Sequence, residues 1–128
     1  GATLEIRQPE LPMDDLVPVP SLQALAAELL KQEGLESLTP EQAKAQFRGS
    51  TDVGNVSYVC PTQFMELDPC CGKVFRAHTQ EALELADAPA YPMLHKAVRI
   101  LAGIGAEIIQ NPALRETCHR EFAAAGKA

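Results

Sequence analysis

Three polar groupings carry the residues able to do chemistry in this 128-residue chain. The first is Gly49-Ser50-Thr51-Asp52, small and polar, followed two residues on by Gly54 and Asn55. Such a stretch can simply turn the chain, because glycine tolerates unusual dihedrals and Ser, Thr and Asp bond to neighbouring amides. The same geometry can also cup an anion on successive exposed amides, or let Asp52 orient a metal-bound histidine. The second grouping is His78, placed where an apparent strand gives way to a helix start, a position at which α/β proteins keep catalytic groups. A lone histidine is also often a polar side chain bonded to a backbone carbonyl. The third is a set of thiols, Cys60, Cys70 and Cys71, which with His78 have the ligand types of a structural zinc site. Their spacing matches none of the usual ligand pairs two to four residues apart.

The elements that must position these groups follow from periodicity. Residues 2–7 (ATLEIR) alternate as a strand does, and the next thirteen residues hold four prolines, which makes them an extended connector. Ser21 is placed to cap a helix whose Leu22, Leu25, Ala26, Leu29 and Leu30 share a face and whose stop is Gly34. Thr39-Pro40 with Gln42 is a capping box opening a short helix over 40–47. Residues 56–59 (VSYV) and 73–77 (KVFRA) read as strands. Thr79 caps a helical turn over QEALELA. The longest helix runs from about Met93 to Gln110 with Leu94, Ala97, Val98, Leu101, Ile104, Ile108 and Ile109 as its apolar face. Asn111-Pro112 opens a last helix. Alternating strands and helices predict α/β layers.

Composition limits the partners. Eleven Lys and Arg stand against 17 Asp and Glu, a net charge of −6 that repels a phosphate backbone, so nucleic acid is a poor partner. The longest apolar tract, 97–109, contains Arg99 and Glu107 and is too short to cross a bilayer. The N-terminus lacks a signal-peptide pattern, and the expectation is a cytoplasmic protein without membrane attachment whose four cysteines are all free. No phosphate-binding glycine loop, G-x-S-x-G elbow or H-E-x-x-H motif is present.

The stretch GSTDVGNVSYVCPT, followed by RAHTQEA and a long alanine-rich helix, resembles the C-terminal part of the metal-dependent amidohydrolases. These are the relatives of aminoacylase, carboxypeptidase G and the aminobenzoyl-glutamate utilisation proteins. The resemblance spans roughly residue 13 to the end. It implies the C-terminal portion of an α/β/α zinc-peptidase-like catalytic domain over 13–128, with residues 1–12 as the last strand of a lid domain and the crossing from it. It implies hydrolysis of an amide in an N-acyl amino acid, an aminobenzoyl-glutamate-like compound or a dipeptide, assisted by zinc, manganese or cobalt. His78 matches a metal ligand of that family, and Ser50, Thr51, Asp52 and Asn55 match positions beside the substrate. The remaining ligands and the general base belong to the N-terminal part of the catalytic domain, which these residues do not contain. No complete catalytic set is therefore expected in this chain, which should need that N-terminal part as a partner and be inactive alone. Homo-oligomerisation through a lid domain is implied as well. The alternatives from other classes are a non-catalytic α/β binding or scaffold module and a small Cys/His structural zinc protein.

Overall fold

The structure, a computed structural model, describes residues 1–8, 12–39, 42, 51–69, 72 and 78–125. Every regular element among them is helical: α1 (Pro20–Gln32), α2 (Val53–Ser57), α3 (Gln80–Leu85), α4 (Tyr91–Gln110) and α5 (Pro112–Ala124), with a short 3-10 turn at Ala88–Ala90. Helices α1, α4 and α5 pack against one another pairwise, and this trio is the core of the molecule.

The α/β expectation is therefore overturned, and with it the assignment to an α/β/α layer. Residues 2–7 form no strand, and their inward-reading side chains Leu4 and Ile6 are 83% and 84% exposed. Alternation creates an apolar row, but a strand exists only when a neighbouring strand takes up its amides and carbonyls. Residues 56–59 are the end of α2 and the turn after it, not a strand. The period that matters there is three, since the positions that become buried are Gly54 and Ser57. The third expected strand, 73–77, and most of the helix expected over 40–47 lie outside the described residues.

Helical punctuation follows the sequence closely. Gly34 adopts φ +70, with its N–H donating to Lys31 O at 3.0 Å and the Leu35 N–H to Leu30 O at 2.9 Å. Those two bonds are the Schellman pair that closes a helix through a left-handed glycine. The capping box is made in both directions, Thr39 N–H to Gln42 Oε1 at 2.8 Å and Gln42 N–H to Thr39 Oγ1 at 3.3 Å. Thr79 caps α3 by accepting the Ala82 N–H, and Asn111 caps α5 by accepting the Leu114 N–H at 3.1 Å.

Ser21 departs from its expected role. Helix α1 begins two residues earlier than a Ser21 cap implies, at Pro20, with no side-chain cap from Val19. Ser21, now inside the first turn, donates its N–H (2.8 Å) and its hydroxyl (2.7 Å) to the two carboxylate oxygens of Glu121 on α5. A distant carboxylate thus satisfies the orphan amide and faces the positive end of the helix. Those bonds from Ser21 hold the Glu121 carboxyl below its ordinary pKa. At the other end of α1, Arg99 of α4 donates to both Glu33 oxygens at 2.7 and 2.6 Å, while Lys96 donates to the Glu33 carbonyl at 2.7 Å. Arg99 lowers the Glu33 pKa, first through those hydrogen bonds.

Between these polar ties lies a small apolar core of Val17, Val19, Leu22, Ala26, Ile100 and Cys118, joined at its edge by Ile108 and Leu114. The apolar face expected for α4 is only partly the buried one. Ile100 is its sole fully buried side chain, Ile104 and Ile108 are half-buried, and Leu94, Val98, Leu101 and Ile109 are between 54% and 77% exposed.

Candidate functional site

Helix α2 has only five residues, too few to be stable by backbone bonds alone. What holds it is an extended segment, 12–19, laid across it. The fully buried Ser57 donates its hydroxyl to Gly54 O at 2.6 Å and accepts the Val17 N–H at 2.9 Å. Asn55 donates from Nδ2 to Pro12 O (2.9 Å) and Asp14 Oδ2 (3.0 Å), and its Oδ1 faces the Asp14 N–H at 3.4 Å. Tyr58 donates its hydroxyl to Asp15 Oδ1 at 2.6 Å. Gly54 is required by the closeness of the crossing, because a Cβ there would stand 1.8 Å from Asp14 O. The motif G-N-V-S-Y is a clamp that satisfies the backbone of a proline-rich segment unable to pair with itself.

The other half of the motif is not committed in this way. Thr51 Oγ1 receives the Val53 N–H at 3.4 Å, the local turn bond that its type favours. Asp52 stands at the start of α2 in helical dihedrals, φ −81 and ψ 0, without using its side chain as a cap. Its carboxylate is exposed and joins no hydrogen bond or ion pair among the described residues. Ser50 lies outside them. Asn55, expected beside a substrate, has both amide atoms engaged on residues 12–14.

His78 is the one described non-glycine residue with positive φ, at 62°, immediately before the Thr79 cap of α3. Non-glycine residues in this region are uncommon, although histidine is among those that reach it. The imidazole is exposed and makes no hydrogen bond among the described residues, and no bond joins it to Asp52.

The donor set does not close a metal site. Among the described residues no group of three or more His, Cys, Asp or Glu side chains is placed to hold a metal ion. His78 is a single donor, whereas stable sites recruit three or four. Of the thiols proposed beside it, Cys60 is free, exposed and near Val56 O and Thr62 Oγ1, both at 3.8 Å, while Cys70 and Cys71 lie outside the described residues. Cys118, also free, is buried in the helical core, and burial raises its pKa, so it is a packing residue with little thiolate.

A groove of about 320 Å³ opens elsewhere, lined by Leu22, Pro61, Leu101, Ile104, Ile108 and Cys118. Of the candidate site residues, neither Thr51, Asp52, Asn55 nor His78 borders it. Arg115 stands at its rim but donates to Ile108 O at 2.8 Å, closing the C-terminus of α4.

The sequence reading gave Gly54, Ser57 and Tyr58 no role of their own, and none to the residues of 12–17 that meet them. The available signal was the three-residue spacing of Gly54 and Ser57, which puts two small groups on one helical face. No protein family matches the chain, and neither a curated protein nor a solved structure matches it.

Proposed function

We propose that the chain is a helical segment of a metal-dependent amidohydrolase acting on an N-acyl amino acid, an aminobenzoyl-glutamate-like compound or a dipeptide. His78 donates one ligand to zinc, manganese or cobalt, and Thr51 and Asp52 face the substrate side. The N-terminal part of the catalytic domain supplies the other ligands and the general base. The observation that carries this reading is the division of labour within S-T-D-V-G-N-V-S-Y. Its second half is consumed in building a clamp, while Asp52 and, further on, His78 stand exposed with no structural bond. Polar side chains held at fixed helix starts without a structural duty are where chemistry is placed. When bound, the metal would polarise the amide carbonyl and acidify a water.

In this reading Asn55 and Ser57 position the turn, and Asp52 orients a neighbouring group or the substrate amide. The chain alone is inactive, because one imidazole and one carboxylate do not assemble a hydrolytic site. The assembled enzyme is an oligomer joined through its lid domain and resides in the cytoplasm. Among the described residues, no helix is long and apolar enough to cross a membrane.

The test uses the complete enzyme. His78→Ala should remove metal from one site and most of the activity, while Asp52→Ala should lower turnover with an unchanged unfolding midpoint. Full metal content and normal kinetics in both variants would sink the proposal. A non-catalytic helical module is the second reading, favoured by the unpartnered apolar stripe on α4.

A further inference from the structure

Helices α1, α4 and α5 leave a hollow where they meet, the groove of about 320 Å³. Its floor reaches the core, since Leu22 and Cys118 are 6% and 2% exposed. Ile104 and Ile108, both half-buried, line it from α4, and Pro61 and Gln63 come from the segment that follows α2. Four stretches of chain thus surround one concavity. Its volume stands at the small end of ligand sites, which run from about 300 to 1,000 Å³ and are mostly apolar with a few convergent polar groups.

The polar groups say what fits. Apart from Gln63, whose Nε2 donates to Phe64 O at 2.8 Å, they are Arg115 and His119, one turn apart on α5 and so on one face. The chain carries 17 acidic residues against 11 basic ones, yet no Asp or Glu lines the groove. Glu121, whose charge contributes to the raised pKa of Cys118, has both carboxylate oxygens taken by Ser21. Arg115 alone of the lining residues is permanently charged. Its Nη1 is fixed on Ile108 O at 2.8 Å, while Nε and Nη2 have no acceptor among the described residues. The guanidinium is therefore held in place with donors to spare, in the fork geometry that matches a carboxylate. The His119 imidazole makes no hydrogen bond among the described residues.

We propose that this groove binds a small aliphatic monocarboxylate, its carboxylate on Arg115 and its tail along Leu22, Ile104 and Ile108. Burial of the tail supplies affinity, and the guanidinium selects the head group. One guanidinium balances one negative charge, which favours a carboxylate over the nearly doubly charged phosphate monoester. The groove is not bordered by Asp52 or His78, and the inference stands without the amidohydrolase reading.

The probe is octanoate, titrated calorimetrically into the 128-residue chain, with octanol, octylamine and octyl phosphate as head-group variants of one tail. Octanoate should bind saturably, about tenfold tighter than octanol and octyl phosphate and by a wider margin over octylamine. Amide shifts on its addition should centre on Ile104, Ile108, Cys118 and His119. Arg115→Gln should bring octanoate down to the affinity of octanol and leave octanol itself unchanged. Because Arg115 also closes α4, the head-group series on the unaltered chain decides independently of that variant. Absence of saturable binding would overturn the proposal, and so would equal affinity for octanoate and octylamine, tighter binding of octyl phosphate, or shifts centred on Leu94 and Val98.

Discussion

The clamp over α2 and the trio α1, α4 and α5 show two ways of holding helices in one small chain. The trio is long, apolar at its centre and tied at its ends by carboxylates, so its order is spread over many weak contacts. The clamp has a five-residue helix whose one buried side chain is Ser57, so its order rests on a few hydrogen bonds and one glycine. The contrast teaches that a short element can be as well placed as a long one, provided its polar groups are satisfied by another part of the chain. It also teaches where each region fails: the clamp by single atoms, the trio by degrees.

The largest break is expected at Gly54. In Gly54→Ala the new methyl group would overlap Asp14 O, a backbone atom, so residues 12–17 must lift from α2. Overpacking against backbone costs about 3 kcal/mol or more at such a site. A urea titration followed by circular dichroism should show a fall of that order. An unchanged midpoint would mean the crossing is not that close.

Ser57→Ala comes next. It leaves the buried Val17 N–H without its acceptor at a loss of about 1–3 kcal/mol. Amide exchange of Val17 should accelerate in step with the stability change, whereas unaltered protection would show that another acceptor takes over. Thr79→Ala, which removes the cap of the exposed six-residue helix α3, should cost about 1 kcal/mol, read as loss of local protection at Ala82. Its effect should not reach the trio.

The smallest effect sharpens the comparison through pH. Glu121 has a folded-state pKa below its ordinary 4.5, chiefly through the bonds from Ser21. A carboxyl depressed on folding stabilises the folded state fully above its unfolded pKa, and that contribution fades as pH falls through the folded value. Unfolding midpoints of wild type and Glu121→Gln should therefore differ at pH 7 and converge under more acidic conditions. A constant gap across that range would assign the effect to hydrogen bonding by either form of the side chain.

Much of the helical punctuation was legible from local chemistry. Gly34, Thr79, Asn111 and the Thr39-Gln42 box each act through atoms within a few residues, so residue type and spacing suffice to place them. Among the candidate site residues, the same reading placed His78 just before a helix start, which is where it stands, whereas it placed Asp52 in a turn leading into a strand, and Asp52 stands instead at the start of the helix α2. It misread residues 56–59, because alternating V-S-Y-V fits both a strand and the inner edge of a helix, and only the partner segment chooses. It likewise credited Ser21 with a local cap that a carboxylate one hundred residues away supplies.

By itself the sequence determined the stop of α1, the cap of α3 and the boundary between α4 and α5, because caps, prolines and left-handed glycines act over one helical turn. Tertiary structure alone decided that no strand forms at residues 2–7, that Gly54 and Ser57 carry the crossing of residues 12–17, and that Ile100 rather than Val98 faces inward. The physical reason is common to all of these. A backbone amide, a close approach and an apolar face each acquire their meaning from what lies opposite, and that is set by segments far away in the chain.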